Sequence, residues 1–148
     1  MVDDENNFDD ARDAIDSGLQ AGFVELYLDT LRTTLQNWRE GKDALGRSWP
    51  AVEDETLQSR SVRTDDSRAL VDTDDTRGSV QSESDINLNN LTAVIGSSKR
   101  HLLTHEFGWP ERNIPARPVL RPAGTYARRN SVDMIGEEID AELQNAEL

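Results

Sequence analysis

Asn113-Ile114-Pro115-Ala116-Arg117-Pro118-Val119-Leu120-Arg121-Pro122-Ala123 places three prolines and two arginines within eleven residues. Each proline fixes its own φ and pushes the residue before it toward extended geometry, so Ile114, Arg117 and Arg121 are expected in β or polyproline conformation. The stretch reads as a stiff, cationic strap. It serves either as a docking edge that loses little entropy on binding or as a Pro-rich linker between a sheet and a final helix. Composition favours the linker, and spacing leaves both readings open.

The chain as a whole is strongly acidic, with a formal charge of −13 from 29 acidic and 16 basic residues. General affinity for nucleic acid needs clustered cations that displace counterions, so any contact with DNA is expected to be local. Lys42 and Lys99 are the sole lysines among the basic residues, and aspartates are abundant. That pairing points to a proteome adapted to high salt, where repulsion is screened and carboxylates keep the surface hydrated. An ordinary acidic surface is the alternative. The 148 residues suit one domain, 1–148, whose apolar fraction of 35% is low for a large independent core, so oligomerisation would help it. The absence of cysteine removes disulfides and thiolate metal sites. The opening Met-Val-Asp-Asp-Glu is acidic, and no window approaches the roughly 20 apolar residues of a spanning helix, so neither signal peptide nor membrane anchor is expected.

Within 7–41 the apolar residues Phe8, Ala11, Ile15, Leu19 and then Val24, Leu28, Leu31, Leu35 and Trp38 recur at helical steps. Gly18 and Gly22 each cost a helix interior about 1 kcal/mol, so a kink or break is expected near them. The segment 42–76 is polar and weakly periodic and reads as a long loop. Strands are expected over 77–83 and 91–97, joined by a hairpin through 86–90, with 100–107 as a third extended or mixed segment. The strap would add an edge strand, the sheet position where proline is tolerated, so that 77–123 is sheet and strap. Val132, Ile135, Ile139 and Leu143 predict an amphipathic C-terminal helix over 130–146, capped by Asn130 or Ser131. The expected fold is α+β: an N-terminal helical region, an antiparallel sheet of about four strands with a long loop, and that final helix.

One constellation invites enzymatic chemistry: His101-Leu-Leu-Thr-His105-Glu106. On a helix the two imidazoles would share a face and could pair on zinc. Leu102 stands where a metalloprotease needs its general-base glutamate. On a strand the two rings would lie about 13 Å apart, too far for one metal. The run from Asp72 to Thr76 lacks the spacing, glycine and final glutamate of a calcium loop. Neither a phosphate-cradling loop nor a serine elbow is present, so no enzyme is expected, and no cofactor or metal.

Four features in order resemble the bacteriophage virion-morphogenesis and tail-completion family. Gly46-Arg-Ser-Trp49-Pro with Glu55-Thr56-Leu57 is similar to its Gly-x-x-Trp and Thr-Leu turn. Leu70-Val-Asp72-Thr73-Asp74-Asp75-Thr76-Arg77-Gly78-Ser79-Val80 resembles its Leu-Val-x-Thr-Gly-x-Leu-x-x-Ser-Ile segment, with Asp74 in place of glycine and Thr76 in place of leucine. Val94-Ile95-Gly96-Ser97 and His105-Glu106-Phe107-Gly108 resemble the strand and the Phe-Gly stretch that follow. Ile114-Pro115-Ala116-Arg117-Pro118-Val119-Leu120 is similar to its Ile-Pro-Ala-Arg-Pro-Phe-Leu signature, with Val119 for phenylalanine.

The resemblance implies an α+β protomer of the same kind, with an antiparallel sheet of about four strands and a C-terminal helix packed against it, in a structural virion protein assembled in the host cytoplasm and residing in the neck or upper tail. There it would form a homomeric ring, commonly a hexamer, that completes the tail or joins head to tail. Its partners would be itself and neighbouring neck, connector and tail-tube proteins, with DNA only in transit and no membrane. The interface candidates are Arg117, Arg121, Pro115, Pro118, Trp109 and Trp49, with Asp72, Asp74 and Asp75 of the acidic loop facing the lumen or a neighbour. Against each stands a bland alternative: intrachain pairs for the arginines, core anchoring for the tryptophans, solvent exposure for the loop. The rival functions are an acidic module that mimics DNA charge to bind a basic protein, and a metal-dependent hydrolase using His101 and His105.

Overall fold

The computed structural model describes residues 4–51 and 75–146, with side chains from Asn7 onward. The elements run α1 (Asp4–Arg39), α2 (Asp75–Glu83), β1 (Asp85–Asn87), β2 (Thr92–Val94), α3 (Arg100–Phe107), a 3-10 turn at Pro110–Arg112, and α4 (Leu120–Asn145).

No proline interrupts residues 4–39, and they form one continuous helix. Gly18 and Gly22 do not break it, because each lies against the main chain of α4. A Cβ at Gly18 would sit 2.5 Å from the Cα of Ile139, and one at Gly22 2.6 Å from the Cα of Ile135. Tyr126 lies level with Asp29, donating its hydroxyl to the carboxylate at 2.5 Å. Residue numbers therefore rise along α1 as they fall along α4, and the two helices make an antiparallel hairpin. The buried line on α1 is Ala14, Gly18, Gly22, Leu26, Thr30, Thr34 and Trp38, one residue in four. This is an i±4 ridge, and its small members let the second backbone approach closely. The apolar stripe read from the sequence runs beside it. Its members Phe8, Ile15 and Leu28 are 72%, 42% and 45% exposed.

At the far end of α1 the larger side chains gather. Leu35, Trp38, Trp49, Val80, Leu102 and Val119 form the core, with Leu31, Ile95 and Leu120 packed around it. The Trp38 and Trp49 rings meet edge to face at 6.1 Å, the geometry that the ring quadrupoles favour. The chain reaches Trp49 through a turn organised by Asp43. Its buried carboxylate accepts from the amides of Leu45 and Arg47 at 2.9 and 3.0 Å, and from Arg47 Nε at 3.0 Å.

The expected four-stranded sheet is overturned. Among the described residues there are four α-helices and one two-stranded antiparallel ribbon, in which Asp85 faces Val94, Ile86 faces Ala93 and Asn87 faces Thr92. A hairpin does form at 86–90, but Ile86 and Asn87 belong to its first strand and not to its connection, and 77–83 belongs to α2. There Arg77 and Val80 turn inward together at a three-residue step, and Arg77 Nε donates to the Leu35 carbonyl at 2.9 Å. A strand would have put those two residues on opposite faces. The segment 100–107 is α3, which buries Leu102 and Glu106 four apart. The strap is no edge strand: only Ile114 pairs, in a single bridge with Trp109. The C-terminal helix starts at Leu120, ten residues before its expected beginning at 130.

Gly18→Ala should lower stability by about 1–3 kcal/mol, since the added methyl meets backbone that must shift. Gly136 has nothing within 4 Å of its would-be Cβ, so Gly136→Ala should raise stability by up to about 1 kcal/mol through helix propensity. Urea unfolding of the two variants checks the opposite signs.

Candidate assembly interface around the proline strap

Glu106 explains where α4 begins. Its side chain is buried, and its carboxylate accepts three backbone N–H groups: Val119 at 2.6 Å and Leu120 at 2.9 Å on Oε2, and Arg121 at 2.9 Å on Oε1. Amides in the first turn of a helix lack intrahelical acceptors and are usually capped by a local side chain. Here the cap comes from another helix, and the positive end of α4 steadies its charge. Pro122 is tolerated in that first turn because its missing N–H would have had no intrahelical partner. Arg121 closes the arrangement. Its Nε lies 3.3 Å from Oε1, and a terminal guanidinium nitrogen donates to the Glu106 carbonyl at 2.7 Å.

Arg117 is buried, its Nε donating to the Pro50 carbonyl at 2.9 Å and a terminal nitrogen to the Ala51 carbonyl at 3.1 Å. Its own amide donates to the His105 carbonyl. Trp49 is buried as well, and its indole N–H donates to the Pro118 carbonyl at 3.0 Å. The strap thus ties α3, the 40–51 turn and α4 into one joint. Gly108, at φ 73°, brings the turn after α3 so close that a Cβ there would lie 2.8 Å from the Ala116 nitrogen.

The remaining candidates are spread differently. Arg121, Trp109 and Pro115 are at the surface, Pro118 is half-buried, and Asp75 opens α2 and pairs with Lys99 at 3.2 Å. Asp72 and Asp74 lie outside the described residues. The structure therefore brings Arg117, Pro118 and Trp49 together inside the chain, with Arg121 at the edge of the same joint. Sequence reading missed the role of Glu106 and a surface that adjoins it. Leu103 and Phe107, 61% and 63% exposed, line the outer side of α3. The Arg121 guanidinium stands 5.0 Å from the Phe107 ring centre, and that of Arg112 4.4 Å from the ring of Trp109. The signal for this surface was present in the Leu103-x-x-x-Phe107 spacing. Residues 99–129 carry seven basic side chains against Glu106 and Glu111 alone, in a chain whose net charge is −13.

His101 and His105 do share a face of α3, one helical turn apart. His105 is pushed down to about 4 by burial, with the charges of Arg117 and then His101 adding to the effect. Its Nδ1 is buried without a hydrogen-bond partner. Among the described residues no group of three His, Cys, Asp or Glu side chains converges as a metal-ligand set, and no helix is long and apolar enough to cross a membrane. Comparison with protein-family models, with curated proteins and with solved structures finds no match.

Glu106→Ala leaves three helix-opening amides without their acceptor and should cost about 2–4 kcal/mol. Arg117→Lys, a single ammonium in place of a fork reaching two carbonyls, should cost about 1–2 kcal/mol. Both are read from the midpoint of urea unfolding. His105 adds a pH dependence. Its folded-state pKa, about 4, lies below the ordinary 6.5, so on acidification the unfolded chain takes up a proton first, and stability is lost as pH falls through that window. In His105→Gln this component is absent. The stability difference between wild type and variant should therefore change by about 2 kcal/mol from neutral pH to pH 4, after allowing for partial solvent screening.

Proposed function

We propose that the chain is a structural protein of a tailed virus, forming a homomeric ring at the head–tail neck that completes or joins the tail and through which DNA passes. It catalyses no reaction. The observation that carries this reading is the convergence of the resembling motifs. Gly46-x-x-Trp49 is far in sequence from His105-Glu106-Phe107-Gly108 and Ile114–Leu120, yet the three bond to one another. Trp49 donates to Pro118, Glu106 receives Val119 and Leu120, and Arg117 receives its backbone acceptor from His105. Residues that specify one joint form a set that scaffolds sharing that joint would retain. This supports the resemblance at the joint alone, and the four-stranded sheet that the resemblance implies is no part of the support.

A second feature agrees with assembly. Over much of their length α1 and α4 pack on each other, and Phe8, Ile15, Leu28 and Val132 stay exposed. Covering these side chains with neighbouring subunits would add apolar burial. In such a ring the abundant carboxylates would repel passing DNA and keep it from sticking. Neighbouring neck, connector and tail-tube proteins are the further partners of this reading, with the virion neck as its site.

Mass measurement by analytical ultracentrifugation, at molar and at low salt and joined to electron microscopy, tests it. The expected result is a discrete closed oligomer of about six protomers. A monomer at both salts, together with salt-sensitive binding to basic proteins, would instead support the acidic charge mimic.

A further inference from the structure

The charge of this molecule is divided between two ends. Asp9, Asp10, Asp13 and Asp16 on α1, and Asp133, Glu137, Glu138, Asp140 and Glu142 on α4, occupy the end of the hairpin remote from the core. Arg12 is the one basic residue among the described residues of 7–20 and 130–146. Within this acidic end Phe8 is 72% exposed, and Ile15, two turns on, shares its face at 42%. At the other end Arg100, Leu103 and Phe107 lie on one outward side of α3, beside Trp109, Arg112 and Arg121. One surface is thus apolar and net anionic, with Arg12 between Phe8 and Ile15 on the same face, and the other apolar and net cationic, with Glu111 accepting from the Trp109 indole at 3.4 Å.

These two surfaces cannot meet within one molecule. Arg121 lies level with the last two turns of α1, and a straight helix puts that level about 35 Å from residues 9–16. Like ends repel: two acidic ends, or two arginine-bearing patches, are unfavourable neighbours. We infer that the acidic first turns of α1 in one copy dock, through Phe8 and Ile15, onto the Leu103–Phe107–Trp109 patch of a second copy, with Asp9 and Asp13 facing Arg100 and Arg112. The contact is heterologous, each copy using two different surfaces, which is the arrangement that generates a ring when the rotation closes. Charge complementarity fixes the direction of docking, and the aromatic anchors supply its desolvated centre. At high ionic strength the apolar contact remains, while the attraction of the exposed ion pairs and the repulsion between acidic ends are both screened.

This inference rests on the homomeric assembly proposed above, and charge reversal separates the two. One full-length variant carries Arg100→Glu and Arg112→Glu, a second carries Asp9→Arg and Asp13→Arg, and a third carries all four. Each is checked for helical content and run by sedimentation beside the wild type. The expected result is that either reversal alone weakens association about tenfold or more, whereas the equimolar mixture of the two, or the fourfold variant alone, returns to the wild-type mass. Wild-type assembly that survives both single-surface reversals would overturn this contact and leave the ring standing. Dissociation in each that neither combination repairs would overturn it too. A wild type that is monomeric throughout would remove the contact together with the ring. A patch whose reversal leaves the mass unchanged but abolishes retention of duplex DNA would belong to nucleic acid, and the self-contact would fall.

Discussion

The acceptance of three α4 amides by the carboxylate of Glu106 is the interaction on which the rest of this structure depends. A buried carboxylate is costly unless its charge is hydrogen-bonded and opposed. Here the amides of Val119, Leu120 and Arg121, the positive end of a 26-residue helix and the Arg121 side chain do both. The cap fixes the first residue of α4 and the direction in which the helix leaves α3. Its register against α1, from Tyr126 at Asp29 to Ile139 at Gly18, then follows along a rigid rod.

Two kinds of packing divide the molecule. Around the strap, large apolar groups are buried and the polar atoms of Trp49, Arg117 and Asp43 are bonded to main-chain groups. Along the hairpin, until it reaches Trp38 at the core, the buried line of α1 is made of alanine, glycine, threonine and one leucine, so less apolar area leaves water per turn and cohesion relies on closeness of approach. The same choice leaves the larger side chains of α1 facing outward. A hairpin of this kind is stiff along its axis and unfinished at its sides.

Much of the helical content could be read from the chain. The C-terminal stripe of Val132, Ile135, Ile139 and Leu143 lies in α4, and the periodicity of 7–41 marks α1. The failures have physical causes. Gly18 and Gly22 were read by propensity as breaks, whereas an approaching backbone decided their meaning, and propensity carries no knowledge of a second helix. The start of α4 was sought at Asn130 or Ser131 because sequence rules look for a cap next door, and Glu106 is fourteen residues before Leu120. In α3 the inward face reads Leu102 and Glu106. A glutamate at a buried position weakens the apolar pattern that would have announced a helix. The strap was recognised as stiff and arginine-bearing. That Arg117 turns inward while Arg121 remains at the surface depends on where the Pro50 and Ala51 carbonyls lie, which no local spacing encodes.

The pairing of Gly18 with Ile139 also bears on the order in which the molecule can form during synthesis. Residues 106 to 121 close their contacts across short loops, so the joint of α3, strap and α4 can assemble soon after it leaves the ribosome. Helix α1 is made before its partner, which lies more than a hundred residues further along the chain. Its interior glycines and sparse buried area make it marginal alone. The hairpin therefore closes after the joint, and until it does the glycine-lined groove of α1 is open to any chaperone that binds apolar helices.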